Sequence, residues 1–414
     1  MSLIVTKFGG TSLCDLERVQ AAARKVVACR QEGHEVIVVV SAMAGETDKL
    51  EDLGYSISNR PDPREMDVLL ASGEQVSVAL IAMAIQDLGE PAMSYLGNQV
   101  PVYTNGCHQR ARITDVGCEE LRRSINQGAI PVVAGFQGVA PTGEITTIGR
   151  GGSDTTAVAI AVAMEALECR IYTDVDGVYT ADPRIVEQAR RMDRVTFEEM
   201  LELAALGAKV LHLRSVEYAR RYSIPLKVFS SFIDGPGTLI VEEGESMEQP
   251  EVSAITFDKN EAKVTITNVP DIPGIAYQLL GPVGDANISV DMIVQNVSRD
   301  ERTDLTFTVP RNDFEQSLEI LRDQVIHLRR EAEDSNLCEM EVIGDDAIAK
   351  VTAVGLGVRS HAGIATKMFE TLAQYGINIQ MISTSEIKIS VVIHEDFCEL
   401  AVRMLHSAFD LGSD

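Results

Sequence analysis

Residues 4–20, IVTKFGGTSLCDLERVQ, pass from a β-branched apolar start through Lys7, a glycine pair and two hydroxyls into a helical pattern opening near Asp15. Strand, glycine turn and helix in that order announce an α/β unit. The turn's free N–H groups and a helix N-terminus would converge on one point, and Lys7 adds a cation, so the turn suits an anion. The same residues also make an ordinary tight turn with Ser12 or Asp15 as a helix cap. Neither GxxxxGK[ST] nor a strand-linked GxGxxG occurs in the chain, which excludes two other phosphate loops.

The pattern repeats outward to about residue 240. Continuous β-branched runs (LIVTKF, EVIVVVS, AIPVVAGF) alternate with helical patterns expected near 15–31, near 64–88 and from SDTTAVAIAVAMEAL, and PAMSYL adds a further strand. Strands without polar alternation, separated by amphipathic helices, predict an αβα sandwich on a mainly parallel sheet. Ligands in such sheets bind at the carboxyl ends of the strands. The segment DGPGTLIVEEGESMEQPE, 234–251, interrupts the periodicity and predicts a domain boundary. Beyond it the chain repeats itself. GIA recurs at 274 and 363 and MI at 292 and 381, both at an offset of 89 residues, and AKVT recurs at 262 and 349. Each copy reads strand, helix, strand, strand, helix, the pattern of a small α+β βαββαβ module. The expected division is 1–245, 246–335 and 336–414.

At 414 residues, 45% apolar and 24% charged, the chain reads as globular throughout. A formal charge of -26 argues against nucleic acid or an anionic membrane as partner. The seven cysteines form no CxxC or Cys/His ligand spacing, which suits a reducing cytoplasm without structural zinc. No secretory leader is expected at the N-terminus, and no continuous apolar run approaches the 18 or so residues of a membrane span.

Three further clusters could carry chemistry. In TTIGRGGSDTTA, Gly149, Gly151 and Gly152 bracket Arg150, whose planar fork suits a carboxylate or phosphate. Ser153 or Asp154 could cap the following helix. TDVDGVYTADPR, 173–184, gathers Asp174, Asp176 and Asp182 with Tyr179 and Arg184, either as solvated turns or as a nucleotide and magnesium site. Glu74, in LLASGEQVSVAL, could favour a helix dipole or receive an ammonium. No histidine shows a nucleophile or metal pattern, and His212, the last residue of GAKVLH, reads as an ordinary residue.

Together KFGGTS (7–12), VSAM (40–43), SGE (72–74), GRGGSDTTA (149–157), TDVDGVYTADPR (173–184) and GAKVLH (207–212) resemble, in order, the motifs of the amino-acid kinase superfamily and most closely of its aspartate kinases. The duplicated tail resembles paired ACT domains. The resemblance covers essentially the whole chain and implies phosphoryl transfer from ATP, with Mg2+, to the β-carboxylate of L-aspartate. A carboxylate is already a nucleophile, so no general base is required. Carried over by motif, Lys7 stabilises the transferring phosphoryl group, and Phe8, Gly9, Gly10 and Ser12 form its cradle. Ser41, Thr173, Asp174, Tyr179, Asp182, Arg184 and Lys209 hold ATP. Thr47, Glu74, Arg150 and Gly151 meet aspartate, Glu74 its ammonium and Arg150 its α-carboxylate. Ser153 and Asp154 organise the centre. The family commonly has asparagine after Thr47, where this chain has Asp48.

For the tail the resemblance implies an effector site for threonine, lysine or both. The first copy contributes Asp271, Gly274, Ala276, Asp291 and Gln295. The second contributes Ile364, Ala365, Asn378, Ile379, Ser385 and Glu386. It also implies a homo-oligomer through the ACT domains, or a hetero-oligomer with a shorter regulatory subunit, for which Met247 is a conceivable start. A fused dehydrogenase is not expected from the chain's length. The alternatives are another kinase of the superfamily, acting for example on acetylglutamate, and a silent amino-acid sensor. Retention of Lys7, Glu74, Arg150 and Asp154 weighs against the sensor.

Overall fold

The computed structural model describes residues 2–207, 210–243, 251–296, 302–331, 340–358 and 363–412. The chain divides into two compact units, Met1–Tyr179 with Arg191–Met247, and Thr180–Arg190 with Glu248–Asp414.

The first unit is built on an eight-stranded sheet ordered Arg194–Thr196, Thr238–Val241, Leu226–Ser230, Glu168–Thr173, Leu3–Phe8, Glu35–Val40, Ile130–Ala134, Ala92–Tyr95. Its pairs are parallel except Leu226–Ser230 against Thr238–Val241. The central strands Leu3–Phe8 and Glu35–Val40 each bury five of their six residues, which requires cover on both faces. Ile4, Phe8, Val36, Val38 and Val40 join one core cluster with the helices Leu16–Gln31 and Pro63–Asp87. Val5, Ile37 and Val39 alternate to the other face, where the helix Gly152–Ala163 packs across Leu3–Phe8, Glu35–Val40 and Glu168–Thr173. The αβα sandwich expected from the sequence is therefore present.

Three features depart from that reading. The helix Glu46–Ile57 was not expected, because its sequence is polar and it starts at a left-handed Gly45 (φ 76°) in place of a Ser or Asp cap. A second sheet, Ile113–Val116, Val102–Thr104, Gln137–Val139, Ile145–Thr147, was also missed. Its strands are three or four residues long, too short to display a period. The helix Pro63–Asp87 is long and apolar enough by composition to cross a membrane. It holds no continuous apolar run of that length, because small and polar residues interleave along it. Half of its apolar window is buried, and it packs against Leu16–Gln31 and Ile130–Ala134 as a core helix does.

In the second unit the first repeat forms the antiparallel sheet Ile293–Gln295, Arg302–Pro310, Glu261–Pro270, Glu341–Asp345, under the helices Ile275–Asp285 and Phe314–Glu331. The second repeat forms Ile348–Val354, Lys388–His394 and Met381–Thr384 with the helices Gly363–Gln374 and Cys398–Ala408. Its fourth strand, Ala254–Asp258, comes from upstream of the first repeat and pairs antiparallel with Ile348–Val354. The segment Thr180–Arg190 also belongs to this unit. Ala181 and Val186 join the second repeat's core, Ile255 N donates to Thr180 O (2.8 Å), and Thr180 Oγ1 lies 2.9 Å from His406 Nε2. The boundaries expected at 245/246 and 335/336 lie outside the described residues.

Candidate active site

Beyond the carboxyl ends of Leu3–Phe8 and Glu168–Thr173 the first unit opens a cleft of about 820 Å³. Lys7, Gly9, Gly10, Gly45, Gly151, Asp154, Thr173 and Asp174 line it. Three helical segments begin on this wall, each after a glycine: the single turn Gly10–Leu13 after Gly9, the helix Glu46–Ile57 after Gly45, and the helix Gly152–Ala163 after Gly151. None accepts a side-chain cap; Glu46 N and Gly152 N donate back to Met43 O (3.1 Å) and Gly149 O (2.9 Å), and the positive dipole ends of the helices face the cleft. Glycine is required at Gly151 twice over. Its φ is 68°, and a Cβ there would stand 2.1 Å from His212 Cγ. Capping by Ser153 or Asp154 does not occur, because Gly151 takes the cap position. Asp15, by contrast, does cap Leu16–Gln31, accepting from Arg18 N at 2.8 Å.

On the cleft wall Lys7 Nζ pairs with Asp154 Oδ1 at 2.5 Å, with side chains only 11% and 12% exposed. The pair is largely withdrawn from water, so an anion entering the cleft meets the Lys7 ammonium with little solvent screening, its charge partly offset by Asp154. Glu74, on Pro63–Asp87, is buried, and its Oε1 accepts from Ala42 N at 3.0 Å. Its Oε2 has no partner among the described residues. Burial pushes its carboxyl up to about 7, opposed by the hydrogen bond from Ala42. An unpartnered carboxylate oxygen in such a setting would be relieved by an ammonium.

The remaining expected residues divide by position. Phe8 is fully buried and stacks on Tyr172 at 4.6 Å, which leaves only its backbone for a ligand. Ser12 is buried, donating to Tyr172 O (3.3 Å) and bonded to Ser231. Ser41 and Thr47 are half-buried on either side of Gly45, and Asp48 is exposed on the first turn of its helix, facing solvent. Arg150 is exposed next to Gly151. Ser153 is buried beneath it, where a Cβ on Gly135 would meet its Oγ at 2.7 Å. Tyr179 donates to Asp176 Oδ1 (2.7 Å), and burial with that bond raises its phenol to about 12. Asp182 and Arg184 belong to the second unit, where Arg184 Nη2 pairs with Asp182 Oδ2 at 2.7 Å. Lys209 lies outside the described residues. Among the described residues no three His, Cys, Asp or Glu form a metal cage. The exposed Asp174 offers one carboxylate on the cleft, and magnesium needs no more from a protein when phosphates supply the other oxygens.

Of the expected effector residues, Asp291 is held by Lys350 Nζ from the second repeat at 2.5 Å, and Lys350 also pairs with Glu261 at 2.5 Å. Gly274 (φ 91°) opens the helix Ile275–Asp285 without a side-chain cap, with exposed Asp271 just before it and half-buried Ala276 inside it. Gln295 ends an exposed edge strand. Ile364 is buried and Ala365 half-buried at the start of Gly363–Gln374. Asn378 is exposed and Ile379 half-buried, both ahead of the strand Met381–Thr384. Ser385, with Glu386 beside it, opens the turn after that strand, Ser385 N donating to Lys388 O at 2.9 Å.

Sequence reasoning missed His212 and Arg214, which line the cleft, and Asp67, which is fully buried. Asp67 carried a signal, being a charge in an apolar helix seven residues before Glu74 and hence on the same face.

Comparison with known proteins agrees with this geometry. The model of the amino acid kinase family matches residues 2–230, and ACT domain models match 263–325 and 351–409. The chain is 56% identical to the aspartate kinase Ask_LysC of Stutzerimonas stutzeri over 414 residues, 100% of this chain and 98% of that protein. It is 56% identical to the aspartokinase of Pseudomonas aeruginosa over 415 residues, with the same coverage. Among solved structures, E. coli aspartokinase III in complex with aspartate and ADP matches with a TM-score of 0.80 at 27% identity, covering 98% of this chain and 99% of that one. The same enzyme in complex with lysine and aspartate matches at 0.77 and 27%, with the same coverage. On the glycine-capped cleft, the paired ACT modules and this full-length likeness, the chain belongs to the amino acid kinase family and, within it, to the aspartate kinases, which are phosphotransferases.

Proposed function

We propose that the chain transfers the γ-phosphoryl group of Mg2+-bound ATP to the β-carboxylate of L-aspartate, forming 4-phospho-L-aspartate and ADP. The observation that carries this reading is the convergence of three uncapped, glycine-started helical N-termini on the Lys7–Asp154 pair. Phosphoryl transfer depends on positioning and charge stabilisation, and this wall supplies both without a general base. A β-carboxylate oxygen attacks the γ-phosphorus as the bond to the bridging oxygen breaks, and ADP leaves with that electron pair. No proton moves. Lys7 meets the charge on the transferring group, and Asp154 keeps its ammonium in place. Gly9, Gly10 and Gly151 let the backbone approach the phosphates closely. Glu74 receives the substrate ammonium, Arg150 its α-carboxylate, and Thr47 and Ser153 complete that side. Asp174 and Thr173 serve the nucleotide and its magnesium, which neutralises phosphate charge. Ser12, Ser41, Tyr179 and Lys209 complete the ATP site by motif.

The paired ACT modules support feedback by amino acids, lysine and threonine being the first to test, since E. coli aspartokinase III is known in complex with lysine. That would place the reaction at the head of lysine, threonine and methionine synthesis, in the reducing cytoplasm that the free cysteines suit. The test is ADP release with Mg2+ and ATP in the presence of L-aspartate, L-glutamate or N-acetylglutamate. Turnover with aspartate alone is expected; turnover with another acid and none with aspartate would overturn the assignment.

A further inference from the structure

Asp67 has no role in any motif above, yet it is a fully buried carboxylate that meets three partners on two separate segments. Thr147 Oγ1 donates to its Oδ1 at 2.6 Å, Gln109 N donates at 3.1 Å, and His108 Nδ1 stands 2.7 Å from its Oδ2. Thr147 is the last residue of the strand Ile145–Thr147, three residues before Arg150. Gln109 belongs to the loop beside it and holds φ 64°, a conformation that a residue with a side chain seldom adopts. Its carbonyl would stand 3.0 Å from a Cβ on Gly149. Ala111 N bonds Thr147 O at 3.0 Å, so the two segments run together. From the cleft side Arg214 donates to Ile148 O (2.7 Å) and Ala111 O (3.1 Å). The segment leading into Arg150 is thus gripped at both ends, by a buried carboxylate and by an arginine.

We propose that Asp67 is a positioning residue for substrate specificity: it fixes the loop 107–112 and the strand end at Thr147 so that Arg150 is presented to the substrate's carboxylate. Resting on Pro63–Asp87 seven residues before Glu74, it shares a helix face with the group assigned to the substrate ammonium. One rigid helix then sets the spacing between the two ends of an amino acid, Glu74 directly and Arg150 through Asp67. A carboxylate is needed because its two oxygens accept all three donors at once, as neither an amide nor a hydroxyl can.

This inference rests on the proposed role of Arg150, and the experiment separates the two. Asp67→Asn, Thr147→Val and Arg150→Ala are compared in the full chain by steady-state kinetics for aspartate and for ATP. Asp67→Asn and Thr147→Val are expected to raise KM for aspartate by about tenfold while KM for ATP stays within about twofold of wild type. Thr147→Ser, which restores the hydroxyl, should recover wild-type KM. Thr147→Val keeps the side chain's shape and guards against a fold defect in Asp67→Asn. If Arg150→Ala leaves KM for aspartate unchanged, the reading of Arg150 fails and this proposal with it. If Arg150→Ala raises that KM but Asp67→Asn and Thr147→Val do not, or if they raise both KM values equally, the positioning role alone is overturned.

Discussion

Replacing Glu74 by glutamine should stabilise the protein while impairing it, and the two effects should carry opposite pH signatures. Buried at the foot of Ala42 with one oxygen unpartnered, Glu74 has its carboxyl raised from 4.5 to about 7. A folded value above the unfolded one means that stability is fully present below about pH 4.5 and is lost as pH rises through about 7. The full difference corresponds to about 3 kcal/mol withheld once the group is ionised in both states. Glutamine fills the same volume, keeps an acceptor for Ala42 N and never ionises. The stability gap between Glu74→Gln and wild type, read by urea unfolding, should therefore widen by about 1.4 kcal/mol between about pH 6 and about pH 8.5. In kinetics the sign reverses. Wild-type kcat/KM for aspartate should fall as pH drops through about 7, because the neutral acid cannot pair with an ammonium, whereas the glutamine variant should be poor throughout and flat. A stability gap independent of pH, or a variant less stable than wild type at about pH 8.5, would refute the burial argument. An unchanged KM for aspartate would refute the ammonium role.

Gly151→Ala should all but abolish turnover, because its Cβ meets the His212 ring at 2.1 Å and its φ is left-handed; Gly45→Ala, with nothing within 4 Å of its Cβ, should cost only about 1 kcal/mol of stability, and thermal unfolding compares them. Asp48→Asn should leave KM for ATP within about twofold of wild type, since Asp48 is exposed, and a larger drop would mean that its charge reaches the phosphates. Lys350→Met would strand Glu261 and Asp291 without their shared cation. It should destabilise the second unit by about 3 kcal/mol and blunt the response to lysine or threonine, read by titrating each effector against activity.

Much of this was legible because the chemistry is consecutive in the chain. KFGGTS and GRGGSD place glycine, cation and helix start within a few residues, and a parallel sheet puts such turns at one edge. What the sequence concealed was assembly at a distance. Nothing local marks Ala254–Asp258 as a strand of a module whose other elements begin at Ile348. TDVDGVYTADPR is continuous in sequence, yet Tyr179 and Thr180 fall in different units because Ala181 and Val186 are the apolar residues that the second repeat's core takes up. Asp67 is one acidic letter in an apolar helix, and its three donors come from residues about 40 and 80 positions away. His212 shows no nucleophile pattern, and it is geometry, its ring lying against Gly151, that brings it to the cleft.

The central claim is that the Lys7 cleft transfers phosphate to the side-chain carboxylate of aspartate, and hydroxylamine trapping of the product tests it most directly. With Mg2+, ATP and L-aspartate the wild-type chain should yield the β-hydroxamate of aspartate in proportion to ADP formed. Lys7→Met, with its unfolding transition intact, should lower that yield by about a hundredfold or more. ATP consumption without hydroxamate, an α-hydroxamate, or undiminished product from folded Lys7→Met would contradict the account.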